Sequence, residues 1–459
     1  MDVGVDELHR TVKLEMDEGR AASPEEALHL AERYVLQLQI GKGAQLSWAC
    51  QAALLTIINC GRRAFLGGVR VCAEDNPPLD VRWAEGMRLH EAVTRYGGTL
   101  VSQTSAEHPT LVLGDPAEPP AGTLRLHATW DGWRAGVVQD PAERLPENQD
   151  FALSGVLAGA LGVSEVFQHA RGDLVAGRRS FGISLWKPDS DWKDEDSLGP
   201  QCRYLPSRIW ILGLGHLGQA YCWSLGFLPY PDPSEVLVFL QDFDVVVEAN
   251  ESTGLMVDRT LVGQPKGRAV AQRLEHIDFR TRISERAFDS HTKRTADEPS
   301  LALAGFDDPA PRRLLERANF ESIVDAGLGG GPEHYGEILL HTFPSGIEAA
   351  SAFDAAPARS RRPDQKAYLE MIERRVKAGA SKGEAECGIL EIAGRTVGAA
   401  FVGAAAGAFV LAEVLRMLNG GPRYQVVDFS LRSPQYRVTV ANERPRMSIN
   451  PGFVRATLN

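Results

Sequence analysis

The sequence predicts an α/β protein: a doubly wound, mostly parallel sheet in the second half of the chain, preceded by a degenerate copy of the same arrangement. Three observations predict it. From residue 208 onward, apolar strand-like runs alternate with helix-like runs, the pattern of a parallel sheet with crossover helices. A glycine turn, Gly213-Leu214-Gly215-His216-Leu217-Gly218, stands between the first strand and the first helix of that half. There a chain reverses tightly and aims a helix N-terminus at an anion. Finally, residues 152–172 and 400–420 align without a gap, sharing Gly155/Gly403, Gly159/Gly407 and Glu165/Glu413.

Residues 5–38 read as amphipathic helix, with Ser23-Pro24-Glu25-Glu26 as an N-terminal cap. A helix over 45–65 and strands at 68–71, 99–101, 110–113 and 123–128 follow. The run Gly41-Lys42-Gly43-Ala44-Gln45-Leu46 keeps two glycines of a nucleotide turn and places Leu46 where the third belongs. Residues 1–186 are therefore the degenerate copy, and 187–207, rich in Asp and Pro, read as an exposed linker or a long connection. The complete domain spans 208–459, with strands at 208–212, 236–240, 301–304 and 322–324 and a helix over 265–275.

Composition narrows the class. Among 459 residues, 44% are hydrophobic and 24% charged, ordinary for a soluble globular chain. A net charge of −11 with no basic cluster argues against a sequence-independent grip on nucleic acid. Six scattered cysteines without a CxxC pair give no zinc knuckle, so no zinc is expected, and they fit a reducing cytoplasm. The uncharged stretch 396–412 is mostly Ala and Gly between Arg395 and Glu413, which reads as a close-packed core helix rather than a membrane span.

The glycine turn alone fits NAD, FAD or ATP. Its surroundings discriminate. The strand at 236–240 leads into Asp242-Phe243-Asp244, acids where ribose hydroxyls would lie. Asn250 follows, then Gly263-Gln264-Pro265-Lys266 opens the next helix, and a polyanion explains a lysine there better than a dinucleotide does. After the strand at 301–304, Gly305-Phe306-Asp307-Asp308 offers carboxylates for Mg²⁺. P-loop, HExxH and GxSxG signatures are absent.

These motifs, in this order, resemble the ThiF/MoeB/ubiquitin-activating superfamily, with its D-x-D, S-N-x-x-R, G-x-P-K and D-N-x-x-x-R segments; Val324-Asp325-Ala326-Gly327 continues the likeness, which spans about 208–421. The resemblance implies a Rossmann-like adenylation domain that uses ATP and Mg²⁺ to adenylate the C-terminal carboxylate of a ubiquitin-like protein. Gly213, Gly215 and Gly218 would pack against ATP, Asp242 and Asp244 would hold its ribose, Asn250 and Lys266 would face the phosphates, and Asp307 would help hold Mg²⁺. It also implies that the degenerate half is an inactive partner domain, giving a pseudo-dimer within one chain, with a homodimer as the alternative.

Within segment 345–390, Cys387 is the candidate nucleophile for a thioester, and an ordinary semi-buried thiol is the alternative. A conjugating enzyme is a second expected partner, in a bacterial ubiquitin-like conjugation operon of the antiviral kind. One departure stands out: Thr253 occupies the place of the family's arginine. Either Arg259, Arg10 or Arg20 replaces it, or catalysis is weakened, which makes a catalytically inactive scaffold the alternative function. A nicotinamide-dependent oxidoreductase rests on the glycine turn alone. His216, inside the turn, reads as an exposed spacer rather than a phosphate ligand.

Overall fold

The computed structural model describes residues 9–41, 46–115, 124–354, 366–377, 379, 381–383, 397–444 and 451–457. Cys387 and the 42–45 turn lie outside the described residues. In the first half, β1 (Leu36–Ile40), β2 (Val69–Cys72), β3 (Gly98–Val101), β4 (Thr110–Leu113), β5 (Arg125–Asp131), β6 (Arg134–Val138) and β7 (Phe181–Ser184) form one sheet. Their order is β3-β2-β1-β4-β5-β6-β7. After the short β8 (Tyr204–Pro206), the second sheet comprises β9 (Arg208–Leu212), β10 (Leu237–Gln241), β11 (Arg280–Ser284), β12 (Leu301–Ala304), β13 (Ser322–Leu328), β14 (Glu337–Phe343), β15 (Tyr424–Ser430) and β16 (Arg437–Ala441). It is ordered β11-β10-β9-β12-β13-β14-β15-β16, and β17 (Phe453–Arg455) pairs with β8.

The two orders are the same permutation, with one strand added in the second. Both sheets are parallel across their first five strands and antiparallel beyond. The chain is thus a structural duplication, as the helix echo implied.

The helices are α1 (Arg10–Asp17), α2 (Pro24–Ala31), α3 (Trp48–Ala64), α4 (Leu89–Arg95), α5 (Ala152–Ala170), α6 (His216–Leu225), α7 (Lys266–Glu275), α8 (Pro309–Arg312), α9 (Ala349–Ala352), α10 (Lys366–Lys377) and α11 (Ala400–Leu418). The echoing segments are α5 and α11, each apolar on every side and buried between the halves, as such helices must be. Their paired glycines explain themselves. A Cβ on Gly155 would fall 1.9 Å from the Ala49 carbonyl oxygen of α3, and one on Gly159 would fall 2.9 Å from that of Ala53. A Cβ on Gly407 would fall 2.5 Å from the Ala220 carbonyl oxygen of α6, and one on Gly403 would fall 2.4 Å from the His216 ring. The last helix of each half therefore lies backbone to backbone on the first helix of its own half.

Across the halves, Trp83 stacks on Trp223 at 5.3 Å and 17°. The Trp223 indole donates to Thr56 at 3.1 Å.

Two expectations are corrected. Residues 5–38 are not one helix: Leu36-Gln37-Leu38-Gln39-Ile40 alternates at period two and forms the central strand β1. Gln37 is buried there because its carboxamide is satisfied by Ser105 N, Ser105 O and His108 O. The Ser23 cap holds, accepting from Glu26 N while Glu26 reaches back to Ala22 N. Residues 187–207 are not an exposed linker either, since Trp192 and Leu205 are buried, Trp192 against Gly136 and Gly182.

Helix propensity alone favours Gly155→Ala by about 1 kcal/mol. Contact with the α3 backbone reverses that sign, so Gly155→Ala should lower unfolding free energy by about 1–3 kcal/mol, read by denaturant titration. A stabilised variant would show that the helices are not in backbone contact.

Candidate functional site

From β9 the chain crosses first to β10 on one side and later to β12 on the other. The crevice at the carboxyl ends of β9 and β12 is therefore the sheet's switch point, where open α/β sheets bind ligands. The glycine turn fills its floor. Gly213 adopts φ +81, where a side chain is strained. A Cβ on Gly218 would lie 1.9 Å from the Gly213 carbonyl oxygen, so α6 can approach the turn only without a side chain there. A Cβ on Gly215 meets nothing within 4 Å, leaving open space in front of the α6 N-terminus. His216 is not the expected exposed spacer: its Nε2 is sealed away from solvent in the contact with α11.

The acids sit at the end of β10. Asp242 accepts from Leu214 N at 2.6 Å and from Asp244 N at 2.8 Å, which ties the glycine turn to the next strand. Burial pushes its carboxyl up, opposed by Lys266. Asp244 is exposed and pairs with Lys266 Nζ at 2.8 Å. Asn250 turns its side-chain oxygen inward, accepting from Val247 N at 3.0 Å and so capping its own turn. Asp307 stands exposed beyond β12, and Asp308 caps α8 through Ala310 N at 2.8 Å.

Thus the structure gathers Gly213, Gly215, Gly218, Asp242, Asp244, Lys266 and Asp307 around one crevice, with Asn250 on the adjoining loop. No group of three or more His, Cys, Asp or Glu ligands occurs among the described residues. Asp307 would therefore hold Mg²⁺ only together with phosphate and water oxygens, the usual manner of Mg²⁺ at a nucleotide.

One functional pair was not singled out from sequence. Arg312 of α8 grips Asp325 of β13 through Nε at 3.0 Å and through Nη2. The guanidinium lies 4.1 Å from the Phe353 ring centroid. A Cβ on Gly327 would meet that guanidinium at 2.8 Å. Arg312 thereby anchors the segment that presents Asp307. The signal was a lone acid in an apolar strand, since a buried carboxylate requires a partner.

The loop after Asn250 is where the arginine is missing. Arg20 is drawn off to Glu15 at 3.0 Å and the Tyr34 hydroxyl at 2.9 Å, and Arg259 to Glu251 at 2.8 Å. Arg10 instead begins α1 beside this loop, its backbone N–H donating to Ser252 Oγ at 3.2 Å.

At the equivalent helix start in the first half an acid takes the free N–H groups. Asp150 accepts from Trp48 N at 2.8 Å and Ala49 N at 2.7 Å, occupying the α3 N-terminus that would otherwise meet an anion. Gly398 holds the corresponding position before α11.

Comparison with known proteins places both halves. A BilD N-terminal domain matches residues 35–185 and a BilD C-terminal domain matches residues 205–421. The bacterial E1-like protein BilD of Collimonas sp. (strain OK412) is 40% identical over 424 residues, covering 92% of this chain and 90% of that protein. Solved structures with similar folds include E. coli MccB, at 12% identity and TM-score 0.34 over 69% of this chain and 93% of that one. Another is E. coli TcdA in complex with AMP, at 15% identity and TM-score 0.29 over 47% of this chain and 86% of that one.

Three histidines flank the crevice in neutral form. Burial lowers His9 to about 4, helped by Arg63, Arg259 and Arg10. Burial lowers His216 to about 4, and burial with Arg312 does the same to His341. Their folded values lie below the ordinary 6.5, so the unfolded chain takes up protons first. Stability is full above pH 6.5 and is lost as pH falls toward 4. The melting temperature should already decline between pH 6.5 and roughly pH 5, before most carboxylates protonate. His216→Asn should flatten the decline, and an unchanged slope in that variant would contradict a buried neutral His216.

Proposed function

Since the chain belongs to the BilD family, whose Collimonas member is described as E1-like, we propose that it adenylates the C-terminal carboxylate of a ubiquitin-like protein with ATP. The observation that carries this reading is the crevice itself: an open glycine turn, two acids, one lysine and an exposed carboxylate stand at adjacent strand ends, while in the other half Asp150 takes the N–H groups at the start of α3.

The attacking group is the substrate carboxylate, which bonds to the α-phosphorus of ATP as the bond to pyrophosphate breaks. The protein contributes position and charge rather than a nucleophile. Asp242 and Asp244 offer acceptors to the ribose hydroxyls. The glycine turn and the α6 N-terminus face the phosphates. Lys266 exchanges Asp244 for a phosphate oxygen once nucleotide is present. Mg²⁺ at Asp307 would supply further charge neutralisation on the phosphates.

The partner's approach has a natural surface. Gly327, at the carboxyl end of β13, pairs with Leu339, Leu339 with Asp428, and Asp428 with Val438. This row leads from the crevice onto a sheet face where Tyr436, Val438 and Val440 are exposed. An apolar patch beside an acid suits a small protein with an apolar, basic-edged surface.

A second reading keeps the nucleotide site but not the chemistry. Thr253 motivates it: a scaffold would bind ATP tightly and release no pyrophosphate in the presence of the partner.

ATP–pyrophosphate exchange in the presence of the carrier separates the two. Wild type should exchange, and Asp307→Ala should lose about 10²–10³ in rate. Cys387→Ala should keep exchange while losing any reductant-sensitive carrier adduct. Exchange unaffected by Asp307→Ala would remove that residue from the site, and no exchange in wild type would favour the scaffold.

A further inference from the structure

The loop over Thr253–Val257 belongs to the second half, yet its carbonyl oxygens are held by the first. Arg63, on α3, is buried to 2% exposure. Its Nε donates to Gly254 O at 3.0 Å and its Nη2 to Val257 O at 3.0 Å. Its Nη1 donates to Asn59 O at 2.8 Å and also reaches Asn59 Oδ1. Asn59, equally buried, donates from Nδ2 to Leu255 O at 3.0 Å. Three carbonyls of one short loop thus end on two side chains of the degenerate half.

The path continues inward. Gln219 of α6 accepts from Met256 N at 3.1 Å and donates to Leu214 O at 3.0 Å. Leu214 is the spacer of the glycine turn, and its N–H donates to Asp242. A Cβ on Gly254 would lie 2.5 Å from Gln219 Oε1 and 2.9 Å from the Asn250 carbonyl oxygen, so a side chain here would disturb the Gln219 link. Both backbone groups of Leu214 are thereby fixed, one by the ribose-side acid and one by a chain of hydrogen bonds starting in the other half.

Arg63 has a second property. Its recorded partners are neutral oxygens, and no carboxylate pairs with it among the described residues. A buried cation without an anionic partner is costly to a fold. It is retained where fork geometry and positive charge are both of use.

We propose that Arg63 and Asn59 are positioning residues for the nucleotide site: the degenerate half sets the Thr253–Val257 loop, and through Gln219 the glycine turn, in the shape that accepts the polyphosphate of ATP. This rests on the adenylation reading. It assigns the first half a defined task, namely supplying from outside the rigidity that the loop's own sequence, Thr-Gly-Leu-Met-Val, does not provide. Arg63→Lys keeps the charge but cannot reach two carbonyls with a fixed fork. Asn59→Ala removes one loop contact and one acceptor for Arg63 without adding a charge.

The test uses the full chain and three measurements: thermal melting, amide hydrogen exchange over residues 253–257, and ATP affinity by calorimetry with Mg²⁺. Each variant should remain folded, exchange faster across 253–257, and bind ATP about tenfold more weakly, equivalent to about 1.4 kcal/mol. A purely structural role would shift melting while leaving ATP affinity as in wild type, and that result would overturn the inference. Should Arg63→Lys fail to fold, Asn59→Ala reads the same two quantities. Failure of wild type itself to bind ATP would contradict the adenylation reading instead.

Discussion

Backbone contact between helices is the constraint on which the remaining structure depends. In each half, two glycines four residues apart let the last helix lie directly on the first, α5 on α3 and α11 on α6. Four helices then meet as a central layer, and each first helix is fixed relative to its own sheet. In the second half this aims the α6 N-terminus at the crevice between β9 and β12. In the first half it brings α3, with Asn59 and Arg63, against a loop of its neighbour. Larger side chains at the four glycines would push the first helices away, and both consequences would be lost together.

The same architecture serves opposite ends in the two halves. Two backbone N–H groups at the start of α3 are consumed by Asp150. Before α11 a glycine stands instead, and the space ahead of Gly215 stays open. Duplication thus yields one helix start that is open and one whose N–H groups are taken by the protein's own carboxylate. The closed half keeps a structural role because its helix now ends in donors for its partner's loop.

Much of this was readable beforehand, for identifiable reasons. The glycine turn and its following acids are local signals: spacing alone fixes which backbone approaches which. The α5 and α11 echo was visible because close helix contact permits little but Gly and Ala. β1 was hidden, since Leu36–Ile40 continues an apparently helical run and becomes a strand only when β2 and β4 flank it. Trp192 and Leu205 were misjudged because their burial depends on partners distant in sequence. The lone acid Asp325 signalled a buried partner without naming Arg312, and the Arg63–Gly254 contact left no local signal at all. Asn250 illustrates a different limit: its identity suggested a ligand-facing role, while its geometry shows a cap on its own turn.

Two like-folded halves should together carry a single nucleotide site, at the second switch point. Calorimetric titration of the full chain with ATP and Mg²⁺, for wild type and Gly215→Val, tests it most directly. A Cβ at Gly215 meets no protein atom within 4 Å, so the fold should tolerate valine while the phosphate space is filled. The account predicts one ATP per chain in wild type and none in the variant. Two ATP per chain, or unchanged binding by a folded Gly215→Val protein, would contradict it.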